Sequence, residues 1–291
     1  NPATFGLVPG MWFRCVGFTG TVANNGFYRV SSITGAGPYN VFCDVVPTGF
    51  ATDAAAGQKI VVSFTDYVRN GTTRLAHATE KAFLDAPAVI YDYRTGDQTN
   101  QLTLDLQHEQ IVKLNAACIA MDTIAPSTTV FSGATNVVPG TSPVMNASTG
   151  LSRIAEALVQ LNGGTQNLPL GAKIMINGNL RPQPAAGQIA LAGIGFGTLE
   201  ITGEFDVYLD TPAMLTKLWA NTTSAFDVRY VDNNGDGYIW DIPTIKYADG
   251  DTPMPAQNSD VTPKMAFRGI VTTPSAGNAY VIHVQRFEAV A

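Results

Sequence analysis

The sequence predicts a mainly β protein: two tandem β-sandwich units, each with one α-helix, preceded by a small N-terminal β module. Three observations predict it. Apolar and polar residues alternate with a period of two over most of the 291 residues, and Gly, Pro and Asn clusters interrupt the alternation about every 8–12 positions. A stretch of the first half, Glu80–Ala88 (E-K-A-F-L-D-A-P-A), returns 125 positions later as Phe205–Ala213 (F-D-V-Y-L-D-T-P-A). Hydrophobic residues make up 45% of the chain and charged ones only 14%, against about 25% charged in an average soluble domain. There is ample material for a core and little charge to keep a bare surface apart from its copies.

The N-terminal module, residues 1–66, is predicted as four strands at Met11–Phe18, Gly26–Ile33, Tyr39–Val46 and Lys59–Thr65. Asn24-Asn25-Gly26, Gly35-Ala36-Gly37-Pro38 and Pro47-Thr48-Gly49 supply the turns between them. The first unit, residues 67–150, opens with Asn70-Gly71-Thr72-Thr73 and a strand through Phe83. Leu102, Leu104 and Leu106, alternating with Thr103, Asp105 and Gln107, mark a half-buried strand. Another is predicted at about Gln110–Met121. Asp122–Gly150 is rich in Ser, Thr, Pro and Gly and carries no charge after Asp122. It reads equally as a linker or as an arm lying on a neighbouring subunit.

The second unit, residues 151–291, is predicted to begin with a short helix at Leu151–Leu161, whose apolar positions share one face and which Gly163-Gly164 would end. Strands are expected at Lys173–Asn177, Gly195–Leu209, Phe226–Val231, Tyr238–Ile245 and Ala279–Phe287, with a helix from Pro212. Pro87 and Pro212 both suit the first position of a helix, where the missing N–H costs nothing. Downstream, Val89, Ile90 and Tyr93 fall on Met214, Leu215 and Leu218 after the 125-residue shift, so each unit is expected to carry a helix there.

Composition excludes several functions. The net charge is −6 with a pI near 5.0, the wrong sign for a protein that grips phosphates. No run of 18 apolar residues would cross a membrane. The start, Asn1-Pro2-Ala3-Thr4-Phe5-Gly6, lacks the charged head and apolar stretch of a leader.

Apparent chemical motifs have simpler explanations. Cys15, Cys43 and Cys118 show no C-x-x-C spacing and sit in apolar runs, which favours buried free thiols and leaves a Cys15–Cys43 bridge open. Asp232-Asn233-Asn234-Gly235-Asp236-Gly237 matches the start of a calcium loop, but its twelfth position is Pro243 rather than Glu, and a hairpin turn explains it. His77, His108 and His283 are scattered without zinc spacing. Gly193–Gly197 lacks the Lys-Ser/Thr of a phosphate loop. Trp12, Trp219 and Trp240 suit core or interface anchors. No catalytic residue, metal site or cofactor is expected, and the protein is not expected to be an enzyme.

One strand stands out. Between Leu199 and Leu209 the odd positions are apolar apart from Gly203, while Glu200, Thr202, Glu204 and Asp206 share the other face with no Lys or Arg among them. Like charges along one row repel, so the pattern asks for a purpose.

The chain resembles the major tail tube proteins of long, non-contractile-tailed bacteriophages. The matching features run almost end to end: Gly17-Phe18, Asn24-Asn25-Gly26-Phe27, Val30, Arg69-Asn70-Gly71-Thr72, Glu80-Lys81-Ala82-Phe83, Asn177–Arg181 (N-G-N-L-R), the T-G-E-F-D-V-Y segment within Gly197–Tyr208, Ile242–Lys246 and Gln285-Arg286-Phe287. Their order, rather than any one of them, makes the match specific. The resemblance implies two tail-tube-type β-sandwich units in a structural virion protein located in the tail. It implies polymerisation into stacked rings that form the conduit for genome ejection. Two tandem units imply trimeric rings of pseudo-sixfold symmetry rather than hexameric ones. Implied partners are further copies of the chain, the tape measure protein and DNA in the lumen, and the tail terminator and distal tail proteins, with no membrane. On this view Glu200, Thr202, Glu204 and Asp206 face the lumen, where a negative wall lets DNA slide. The competing expectation is a β-sandwich module that binds carbohydrate through its aromatics.

Overall fold

The structure, a computed structural model, describes residues 2–47, 49–73, 75–107, 110–131, 153–156, 169–208, 212–231, 236–251, 259–273 and 279–288. The N-terminal module is a four-stranded antiparallel sheet in the order β3-β2-β1-β4, made of β1 (Trp12–Val16), β2 (Gly26–Thr34), β3 (Asn40–Val45) and β4 (Val61–Ser63). All four predicted strands are present. Leu7, Met11, Phe13, Cys15, Tyr28 and Val30 form its core, with Phe13 stacked on its cross-strand partner Tyr28 at 5.0 Å. The Asn24-Asn25 pair does turn chemistry: the Asn24 amide exchanges two hydrogen bonds with the backbone of Ala51, and the Asn25 amide exchanges two with Phe18. Gly17 has φ +101°, and a Cβ there would lie 2.0 Å from the Lys59 carbonyl oxygen, so only glycine fits.

After β5 (Tyr67–Arg69) and β6 (His77–Phe83) comes β7 (Ile90–Gln107), an 18-residue strand that serves two sheets. Its first half pairs with β6 and with β9 (Asp122–Ser127). Its second half lies between β8 (Lys113–Ile119) and β11 (Pro169–Asn177). The helix expected after Pro87 is absent: residues 84–89 form turns, and β7 begins at Ile90. Val89, Ile90, Tyr91 and Tyr93 are β-branched or aromatic and favour an extended chain, and β9 provides a partner for it. The helix expected at Leu151–Leu161 is corrected at its described part, where β10 (Arg153–Glu156) pairs with a strand of the second half. The start of the expected uncharged linker or arm, Asp122–Ser127, is instead the strand β9, paired with β7, and residues 132–150 lie outside the described residues.

The remaining elements are β12 (Arg181–Gln183), β13 (Gly193–Gly195), β14 (Glu200–Val207), α1 (Ala213–Ala220), β15 (Thr223–Val231), β16 (Gly237–Asp251), β17 (Lys264–Gly269) and β18 (His283–Phe287). α1 forms as predicted after Pro212, from Ala-Met-Leu-Thr-Lys-Leu-Trp-Ala, a run of good helix formers. Asn221 ends it in the left-handed conformation at φ 50°. β16 is long and, like β7, belongs to two sheets. One layer runs β10-β15-β16-β18-β5, and the other runs β16-β17-β14-β11-β7 with β8 at its edge.

The two layers enclose one core. Leu104 and Leu106 from β7, Ile174 from β11, Ile201 and Phe205 from β14, and Met265 and Phe267 from β17 face Phe226, Val228, Trp240, Ile242 and Ile245 across it. Phe226 lies 4.6 Å from Phe267 and 5.4 Å from Phe205, ring centre to ring centre. Strand pairing therefore runs through position 150 of the chain: β7 and β11 share a register from Gln101↔Asn177 to Gln107↔Gly171 and contribute to the same core.

Candidate assembly and channel surfaces

In β14 the alternation is realised as predicted. Ile201, Phe205 and Val207 are buried, while Glu200, Thr202, Glu204 and Asp206 lie on the opposite, partly exposed face. The expectation that no cation answers these carboxylates is corrected by the neighbouring strands. Lys264 of β17 reaches Glu204 at 3.0 Å, and Arg268 reaches Glu200 at 3.1 Å. Lys173 of β11 stands directly across from Glu204. Followed through the register to Asp105 and Lys113, the face of these five strands carries Lys113, Lys173, Lys264 and Arg268 against Asp105, Glu200, Glu204 and Asp206. It is polar and charge-balanced. The pairs are exposed and each contributes about 0–1 kcal/mol, so their effect is on surface potential rather than stability.

The 125-residue repeat extends to strand register. In the β7–β8 hairpin the pairs are Gln101↔Ala117, Leu102↔Ala116, Thr103↔Asn115, Leu104↔Leu114 and Asp105↔Lys113. Adding 125 to both members gives Phe226↔Ile242, Asp227↔Asp241, Val228↔Trp240, Arg229↔Ile239 and Tyr230↔Tyr238, all of which pair in the β15–β16 hairpin. Both hairpins shift register at the same place, between Thr99 and Gln101 and between Ser224 and Phe226. The extra residue differs, falling on β7 in the first hairpin and on β16 in the second, so the register coincides over the five pairs on the turn side of the break.

The two hairpins differ in what covers them. The outer flank of β16 at Gly237–Asp241 is paired by β18. The equivalent flank of β8 has no strand on it among the described residues, and Leu114, opposite the buried Leu104, is 53% exposed. Cys118, expected to be buried, is exposed for the same reason, while Cys15 is buried, and all three cysteines are free thiols. Burial pushes the Cys15 and Cys43 thiols up to about 11. Trp219 on α1 is also exposed, whereas Trp12 and Trp240 are buried and offer no platform for a sugar ring.

A buried polar clamp joins the N-terminal module to the sandwich. The Trp12 indole N–H donates to Asp241 at 3.1 Å, and Arg29 donates to the other Asp241 oxygen at 2.9 Å. Arg29 also forms a two-pronged pair with Asp44. Arg229, paired with Asp227 at 2.7 Å, lies over the Trp12 ring at 4.3 Å. Burial pushes the Asp241 carboxyl up, opposed by Arg29 and the indole N–H. Burial works against charge on Arg29 too, but Asp241 and Asp44 more than offset it. Gln285 binds both the N–H and the carbonyl of Trp12, and its Oε1 also accepts from His283. Arg69 donates to His283 Nδ1 at 3.0 Å, which fixes the proton on Nε2. Burial, aided by Arg69 and Arg29, pulls His283 down to about 4. Asn70 accepts from the N–H groups of Val281 and Ile282. Gln285, Arg69, which also donates to the Pro9 carbonyl, and Phe287, edge-on to Phe27, are thus joints between module and sandwich, while Asn70 ties β5 to the chain before β18.

The remaining motifs resolve simply. Gly193–Gly195 is a strand. Of Asp232–Gly237 only Asp236 and Gly237, which opens β16, are described; Asp232–Gly235, like His108, lies outside the described residues. His77, by contrast, has neighbours that sequence spacing did not show: Asp97 and Cys118 are brought near it from two other strands.

Against known proteins, a family model described as phage tail tube protein matches residues 18–272. No curated protein matches the chain.

Proposed function

The chain belongs to the phage tail tube protein family, which makes it a structural component of the virion tail, and from that premise we propose that three copies close into a ring of pseudo-sixfold symmetry and that rings stack into the conduit for the genome. The observation that carries the threefold reading is the five-pair hairpin register repeated at 125 residues. Each chain then carries the same hairpin twice, so three chains supply six copies of it to a closed ring. Native mass spectrometry of the purified protein tests it: three chains per ring agree, and six chains or a persistent monomer disagree.

The charge-balanced sheet face is the proposed channel wall, with Glu200, Thr202, Glu204 and Asp206 on it. Lys264 and Arg268 sit in ion pairs there, so passing phosphates meet cations that are already neutralised by a neighbour. DNA and the tape measure protein are held without specific binding. Tail terminator and distal tail proteins are the proposed end partners.

The open flank of β8 is the proposed site where the adjacent chain adds a strand, taking the place that β18 takes on β16. Leu114→Glu puts a charge into that seam. Subunit stability is expected to stay within about 0.5 kcal/mol, as for other exposed positions, while ring and tube formation in negative-stain images is lost. Tubes of normal length from this variant would exclude β8 as the seam.

A further inference from the structure

We propose that His77, Asp97 and Cys118 form a binding site for a zinc-class divalent ion. One ligand atom from each lies within 4.8 Å of the others. They come from three strands: His77 of β6 pairs with Asp97 of β7, and Cys118 of β8 pairs with Thr99, two residues beyond Asp97 and therefore on the same face. Asp97 is only 4% exposed. Its Oδ2 accepts from the Thr79 hydroxyl at 2.8 Å, while its Oδ1 is buried without a hydrogen-bond partner among the described residues. A buried carboxylate oxygen left unsatisfied is costly, and a cation would relieve that cost.

The donor set selects the ion. A thiolate and an imidazole are soft or borderline ligands that favour zinc over calcium or magnesium, and a carboxylate completes a common three-ligand set with a fourth position for water. Tetrahedral zinc, with bonds of about 2.0–2.3 Å, holds its ligand atoms roughly 3.3–3.7 Å apart. The side chains must therefore close by about 1 Å. His77 and Cys118 are exposed and can rotate inward, while buried Asp97, steadied by Thr79, is the fixed anchor. The ion would tie β6 and β8 to β7 beside the bulge where β7 passes from one sheet to the next.

The test uses the reduced, full-length protein titrated with Zn²⁺ and, separately, with Co²⁺. One ion per chain is expected, with a thiolate-to-cobalt charge-transfer band and a rise in Tm on adding zinc. Cys118→Ser is expected to abolish the band and the rise in Tm. His77→Ala is expected to weaken binding about tenfold or more. Both substitutions are at exposed positions, so folding by circular dichroism is expected to be unchanged. Asp97→Asn is expected to weaken binding likewise if it folds. Absence of the cobalt band, or a band and affinity that survive His77→Ala unchanged, would overturn the proposal, since the latter is a lone thiol capturing metal.

Discussion

Asp241→Ala is expected to destabilise the subunit by about 3–5 kcal/mol, measured by urea denaturation at pH 7. Asp241 is fully buried and accepts from both Arg29 and the Trp12 indole. Removing it leaves a buried guanidinium with only the partly exposed Asp44 to answer it and a buried indole N–H without its partner. Breaking one side of such a pair costs that much because the remaining charge stays desolvated. Removing both sides is milder, so Arg29→Met combined with Asp241→Leu is expected to recover part of the loss. The two positions touch, and their effects should be far from additive. A single-variant loss under about 1 kcal/mol would show that the clamp does not hold the module to the sandwich.

Acidification should act through His283, by about 3–4 kcal/mol. Its neutral form is required, because Arg69 donates to Nδ1, and burial lowers its pKa from 6.5 to about 4. The unfolded chain therefore takes up the proton first as pH falls. The contribution is complete above about pH 6.5, is lost progressively toward pH 4, and does not change further below that. A 2.5-unit interval at about 1.4 kcal/mol per unit gives the magnitude. His283→Leu should begin less stable at pH 7 and show a correspondingly flatter profile over the same window. Parallel profiles for variant and parent would place the acid sensitivity elsewhere.

Local patterns in the chain were legible as far as they were local. Four short strands with Asn and Gly turns gave the N-terminal module, and strict alternation placed the apolar and acidic faces of β14. Pro212 and the helix formers after it gave α1. The same logic failed at Pro87, because Val89, Ile90 and Tyr91 could also extend, and β9 was there to pair with them. β17 was missed, although Met265 and Phe267 alternate with polar neighbours; the run is short and bounded by Lys264 and Gly269. Its Lys264 and Arg268 are what turn an acidic row into a balanced surface, and only register brings them beside Glu204 and Glu200. The clamp joins residues 212 positions apart, and the His77, Asp97 and Cys118 ligands come from three strands. Neither has a spacing signature that a single sequence could display.

The most direct measurement is a cryo-EM reconstruction of tubes assembled from the purified chain. Three chains per ring are predicted. The face bearing Glu200, Glu204, Asp206, Lys173 and Lys264 should line the bore. Rings of six chains, or that face on the tube's outer surface, would contradict the account.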